Sequence, residues 1–321
     1  MRSFLSRVPR PAILWPVTFG VALCLGFGLG AQKAPAPAAE NPADAKFSAS
    51  ADLVNVLFTV SDKKGRFVTD LAQSDFDVLE NKKPQFIKQF TAETDLPLRL
   101  ALLVDTSNSI RDKFRFEQQA AIRFMRDVMR PREDRMMLIA FDTQPQLVSD
   151  LSGDMTALEK GINNMRPGGG TSLYDAICYA SKEKLMVDQP REKFRRAMIL
   201  ISDGDDTQSH FTRDQALEMA QKADTVIYAI STNTTRSEQE GDLVLKYLTE
   251  ETGGQAFFPF KVEDLDQSFE NIANELRHQY NLFYRPDPLR NDGLYHPISV
   301  RVKTRKDLVV RARKGYYANV Q

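Results

Sequence analysis

The chain has 321 residues, 42% of them hydrophobic and 27% charged, with 43 basic side chains against 43 acidic ones. This composition excludes collagen, coiled coil and bulk disorder, and the balanced charge gives no general attraction for nucleic acid or an anionic membrane surface. The length suggests about two domains.

Arg2, Arg7 and Arg10 precede an uncharged apolar run from Ala12 to Ala31 that ends in small residues, the form of a secretory signal peptide over residues 1–31. Pro16 and the length of the run leave an uncleaved membrane anchor as the alternative, and the membrane enters only through that segment. Either form places the rest of the chain outside the cytoplasm, as a periplasmic, secreted or cell-envelope protein. Cys24 belongs to this segment and Cys178 is left alone, so no intrachain disulfide is expected in the mature chain.

Residues 32–49, with Ala34-Pro35-Ala36-Pro37 and Asn41-Pro42, are expected to form a flexible linker. Val54, Val56, Phe58 and Val60 then alternate as in a strand, ahead of the turn cluster Asp62-Lys63-Lys64-Gly65. Weaker strand signals at 75–79 and 85–90 complete a β-rich stretch, 50–96. From Leu98 the pattern changes to strands separated by helices. Strand runs fall at 100–104, 136–141, 197–201 and 225–230. Helical signals fall around Ala121–Val128 and near 154–164, 173–186, 242–251 and 263–279. In the last of these, Leu265, Phe269, Ile272 and Leu276 make a core-facing stripe. This alternation predicts an α/β domain with a mostly parallel central sheet flanked by helices, over 97–279. The end of the chain, 280–321, returns to strand character at 280–284, 298–302 and 308–312. Neither β-rich stretch is large enough to bury a good core alone. The two are therefore expected to pack together as a small sandwich-like domain, with the α/β domain inserted between them.

Directly after the apolar run Leu100–Val104 comes Asp105-Thr106-Ser107-Asn108-Ser109. Open α/β sheets bind ligands at the carboxyl ends of their strands, and oxygen donors there suit Mg²⁺, Mn²⁺ or Ca²⁺ rather than zinc. A second acidic cluster, Ser202-Asp203-Gly204-Asp205-Asp206, follows the strand run Met198–Ile201. Between them lies Gly168-Gly169-Gly170-Thr171-Ser172, a glycine loop that offers a hydroxyl. If Asp105 and Asp203 come within about 5 Å, they repel by roughly 3 kcal/mol at an effective dielectric near 20, and a cation would relieve it. Each segment also has a plainer reading: strand-end Asp and Ser often cap or turn, and Asp205 and Asp206 read as solvated or capping residues. The glycine loop lacks the lysine of a phosphate-binding loop. Cys178 reads as core, and His210, His278 and His296 have no metal-ligand spacing.

Together these segments closely resemble the metal-ion-dependent adhesion site of the von Willebrand factor type A family, as in integrin inserted domains. The resemblance covers about Leu98–Leu276. It implies a Rossmann-like type A fold in which Ser107 and Ser109 coordinate a cation directly, Thr171 does so directly or through water, and Asp105 and Asp203 do so directly or through water. In the flanks, Asp75-Phe76, Pro84-Gln85 and Arg313-Lys314-Gly315-Tyr316-Tyr317 resemble a bacterial VWFA-related subfamily. With two formal charges and several neutral hydroxyls the metal would stay electron-poor, and a partner's Asp or Glu carboxylate would complete its shell. The expected function is non-catalytic: divalent-cation-dependent protein binding or adhesion. The alternatives are a hydrolase using a metal-activated water, for which no general base is recognisable near the motif, and a structural scaffold whose site meets no partner.

Overall fold

The computed structural model describes residues 53–92, 96–111, 113–188, 193–233, 235, 237–259, 261 and 264–318. The expected export segment, 1–31, and linker, 32–49, lie outside them. The chain runs β1 (Val54–Ser61), β2 (Phe76–Glu80), β3 (Lys83–Gln85), β4 (Ile87–Thr91), β5 (Leu98–Asp105), α1 (Phe114–Val128), β6 (Arg135–Phe141), β7 (Pro145–Ser152) and α2 (Met155–Asn164). It continues with α3 (Leu173–Tyr179), β8 (Arg195–Ser202), α4 (Arg213–Lys222), β9 (Thr225–Ser231), α5 (Glu240–Thr252), β10 (Ala256–Phe257) and α6 (Leu265–Arg277). Four strands close it: β11 (Tyr280–Tyr284), β12 (Tyr295–Val302), β13 (Val309–Ala312) and β14 (Gly315–Tyr317).

β5 is apolar at successive rather than alternate positions, so it must be covered on both faces. It lies inside a six-stranded sheet of order β10-β9-β8-β5-β6-β7, parallel except for β7. Leu100, Leu102 and Val104 share a core with Phe124 and Met125 of α1, Leu158 of α2 and Phe269 and Ile272 of α6. Ala101 and Leu103 share the other core with Ile177 of α3, Leu217 of α4 and Leu245 of α5. β5 pairs with β6 on one side and β8 on the other, so the chain leaves it in opposite directions. A crevice therefore opens where β5 and β8 end, the usual place for a ligand in such a sheet.

The flanking strands build two four-stranded antiparallel sheets, β13-β1-β11-β4 and β14-β12-β2-β3, each mixing strands from before and after the α/β sheet. Val56, Phe58, Phe76, Tyr280, Leu282 and Tyr284 form one core from both sheets. An acidic side chain is buried in it. Glu80 is 2% exposed; the hydroxyls of Tyr284 and Tyr316 donate to its Oε2 at 2.9 and 3.1 Å, and Arg290 Nε donates to Oε1 at 3.4 Å.

Three details depart from the sequence expectation. β7 is an edge strand of half-exposed and exposed residues, so no apolar alternation marks it. α4 opens on a capping box between Thr212 and Gln215, and its buried face of Ala216, Leu217 and Ala220 is too short and too small to give a strong stripe. The helix expected over 173–186 ends as α3 at Tyr179 and continues as wider π-helical turns, Ala180–Leu185. Among the described residues, no helix is long and apolar enough to cross a membrane.

Glu80→Ala strands two buried tyrosine hydroxyls and removes the acceptor of Arg290. We expect urea unfolding to show a loss of about 3 kcal/mol; a loss under about 1 kcal/mol would show that the buried carboxylate does not tie the two sheets.

Candidate metal centre

Three loops meet where β5 and β8 end, and hydrogen bonds close them into a ring. The first loop, Asp105–Ser109, joins the second through Gly168 N to Thr106 O at 2.6 Å and through Asn108 Nδ2 to Gly169 O at 3.2 Å. The second joins the third because Thr207 N and Gln208 N both donate to Thr171 O at 2.9 Å, while Thr171 N donates to Thr207 Oγ1 at 3.1 Å. The third returns to the first through two side-chain contacts. Ser202 Oγ donates to Asp105 Oδ2 at 2.8 Å, and Ser109 Oγ donates to Asp203 Oδ2 at 3.1 Å.

Within the ring, Ser107 N donates to Asp105 Oδ1 at 2.8 Å, and the Ser107 and Ser109 hydroxyls lie 2.9 Å apart. Asp105, Ser107, Ser109 and Asp203, distant in sequence, thus form one hydrogen-bonded set. Asp105 is fully buried and Ser107 nearly so, whereas Ser109 is exposed and Asp203 half-buried, so the set opens outward on one side. Thr171 stands in the adjoining loop, 6% exposed, with its backbone held on both sides by the third loop. Gly204 is required here: its φ is +84°, and a Cβ would come within 2.2 Å of Gly241 O at the start of α5.

Asp206, expected to be solvated or capping, caps: its Oδ2 accepts from Tyr174 N in the first turn of α3 at 3.2 Å and from Ser209 Oγ at 2.6 Å. Cys178 is buried as expected, and burial pushes its thiol up to about 12. The places of two residues escaped the sequence reading. Ser202 is the hydroxyl that joins β8 to Asp105. Glu117, on α1, is 2% exposed, and its Oε2 has no hydrogen-bond partner among the described residues.

Residues 100–205 match the family model of the von Willebrand factor type A domain. The chain carries a type A domain. Its fold is similar to that of the von Willebrand factor type A protein from Catenulispora acidiphila, at 10% identity and a TM-score of 0.50, over 84% of this chain and 74% of that one. It is also similar to proximal thread matrix protein 1 from the mussel byssus, solved with a zinc-occupied MIDAS motif, at 16% identity and a TM-score of 0.50, over 60% of this chain. The chain spans 48% of that mussel protein, and the likeness at these identities is one of fold. BatB from Bacteroides thetaiotaomicron aligns over 56% of this chain and 98% of its own, at 15% identity and a TM-score of 0.45. No curated protein sequence matches the chain.

In this type A domain the electrostatics fit a hard divalent cation. Burial pushes the Asp105 carboxyl up to about 6, against the donors Ser107 N and Ser202 Oγ, and the charge of Asp203 adds to the rise. The two carboxylates come with hydroxyls rather than thiol or imidazole groups, which is the donor chemistry of Mg²⁺, Mn²⁺ or Ca²⁺.

The raised Asp105 carboxyl also makes a prediction for the metal-free protein. Its stabilising contribution is complete below the unfolded value of 3.8 and is lost as pH rises through about 6. Asp105→Asn removes that loss, and the Ser202 hydroxyl can turn to suit the amide. In chelator at pH 8, the variant should be the more stable by about 2 kcal/mol, with the difference closing near pH 4. A variant less stable than the parent at pH 8 would contradict this account of Asp105.

Proposed function

We propose that this chain is an exported, non-catalytic, divalent-cation-dependent protein-binding or adhesion module. In this reading Asp105, Ser107, Ser109, Thr171 and Asp203 hold Mg²⁺, Mn²⁺ or Ca²⁺, and the partner presents an Asp or Glu carboxylate. The observation that carries it is the ring of three loops, which sets two carboxylates and the Ser107 and Ser109 hydroxyls on one sheet edge. A bound cation supplies positive charge between the aspartates and a coordination position for a carboxylate from outside. The chain's part is to hold the donors: Ser202 and Ser107 N fix Asp105, while the Ser107 and Ser109 hydroxyls bridge towards Asp203 without adding charge.

Binding is favoured over metal-assisted hydrolysis by the placement of possible bases. His210 is engaged with Asp175, His278 with Asn274 O, and His296 with Asp292 and Asn81. Glu117 is buried, 2% exposed. The type A domain, 97–279, is read as an insert carried by 50–96 and 280–321. The Arg313–Tyr317 ending supports the bacterial VWFA-related subfamily, and the apolar N-terminal run supports a place outside the cytoplasm.

Isothermal titration of the chelator-stripped mature chain tests the metal claim. Mg²⁺ and Mn²⁺ should bind at about one site per chain, and Asp203→Ala should weaken Mg²⁺ at least about tenfold. Zn²⁺ belongs in the same series, because the mussel protein holds it. Absence of heat from the parent chain would reject the site. Partner capture with and without chelator tests the bridge; equal capture under both conditions would leave the cation no role in binding.

A further inference from the structure

The first loop runs into a single 3₁₀ turn, Asn108–Ile110, pinned by Ile110, which is 3% exposed and belongs to the core shared by β5 and α1. In such a turn side chains three residues apart eclipse, and Arg111 falls beside Asn108: its Nη2 donates to Asn108 Oδ1 at 2.9 Å. Asn108 is itself fixed, because its N and Nδ2 both donate to Gly169 O in the second loop. An exposed guanidinium is thereby held beside the loop that carries Ser107 and Ser109, next to the open side of the ring. Among the described residues Arg111 has no carboxylate partner, whereas Arg123, Arg126 and Arg130 further along the chain each have one. Lys113, two residues on, is engaged elsewhere, its Nζ donating to Thr232 O at 3.1 Å. Across the open side, the third loop contributes Asp203 and the exposed Asp205.

Resting on the metal-binding reading above, we infer that Arg111, positioned by Asn108, is a second acid subsite beside the cation. The partner then presents two acidic residues, one carboxylate on the cation and the other on the Arg111 guanidinium. A guanidinium carries five N–H donors. Asn108 takes one, which leaves a fork for a carboxylate to accept from at both oxygens. The acids of the third loop repel a second carboxylate and direct it to the first-loop side. An extended segment sets alternate side chains on one face about 7 Å apart. That spacing spans Asn108, whose Cα stands about 3.8 Å from that of Ser109.

The test loads the mature chain with Mn²⁺ and follows the relaxation rate of water protons, which falls when a carboxylate displaces water from the bound ion. The probes are acetyl-Asp-Gly-Asp-amide and acetyl-Asp-Gly-Asn-amide. The parent should bind the diacid about tenfold more tightly, about twofold from the choice of carboxylate and about fivefold from an exposed ion pair. Arg111→Gln should bring that ratio to about two while binding Mn²⁺ and the monoacid peptide as the parent does. Arg132→Gln, which removes an equal charge from an exposed position ahead of β6, should leave the parent's ratio unchanged. A ratio unchanged in Arg111→Gln, or already near two in the parent, overturns the second subsite and leaves the cation site standing. Bound Mn²⁺ with no response to either peptide removes the partner's carboxylate and the subsite with it; no Mn²⁺ binding removes the site as well. Should Arg111→Gln fail to fold, Arg111→Lys takes its place. It keeps the charge and loses the fork, so its ratio should fall between the other two, and an unchanged ratio overturns the proposal.

Discussion

A carboxylate that the fold takes out of water must be given donors or positive charge, and Asp105 receives two donors and one further acid. Ser107 N and Ser202 Oγ hold its two oxygens, while Asp203, reached through Ser109, adds negative charge beside it. The donors satisfy the oxygens without neutralising the charge, so burial, with the charge of Asp203 adding to it, still holds the Asp105 carboxyl above its usual range. This arrangement depends on β5 and β8 being neighbours at the point where the sheet's connections diverge. Without that adjacency, residues 105 and 203 would not share an edge, and the second loop would have nothing to close against.

The opposite edge of the same sheet carries the attachment to the flanking sheets. α6 passes into β11 through only His278 and Gln279. Glu275 near its end takes Arg311 of β13 at 2.7 Å and the Thr59 hydroxyl of β1 at 3.3 Å. Arg313 reaches Asp224, just before β9 begins, at 2.7 Å, and Arg195 at the start of β8 donates to Leu276 O. These contacts lie at the amino ends of the parallel strands, whereas the loop ring lies at their carboxyl ends. The flanks therefore brace the domain from behind and leave the open side of the site facing away from them, as a surface that engages another molecule requires.

The class of fold was legible because β5, β8 and β9 are apolar at consecutive positions, a pattern that only doubly covered strands produce. The mixing of strands from both ends in the two outer sheets followed from the smallness of each stretch. The loops of the site were legible because their residues follow directly on those strands. What sequence could not give was closure: Ser202 looked like one more polar residue at a strand end, yet it is the hydroxyl that ties β8 to Asp105. Thr171 was picked out for its hydroxyl, while the structure shows its backbone making the bonds to the third loop. Glu117 did leave a mark, an acid inside a mostly apolar helical stripe, but a stripe reading treats such a residue as noise. β7 and α4 were hidden for the opposite reason, since an edge strand and a short helix with small buried residues bury too little to print a period.

The central claim is that side chains from three loops surround one cation. A crystal of the mature chain grown with Mn²⁺ and measured for anomalous scattering tests it most directly. The account predicts a single strong peak bounded by Asp105, Ser107, Ser109, Thr171 and Asp203, with one coordination position turned to solvent or to a neighbouring carboxylate. A saturating Mn²⁺ concentration that leaves this position without anomalous density, or places the peak elsewhere on the chain, would contradict it.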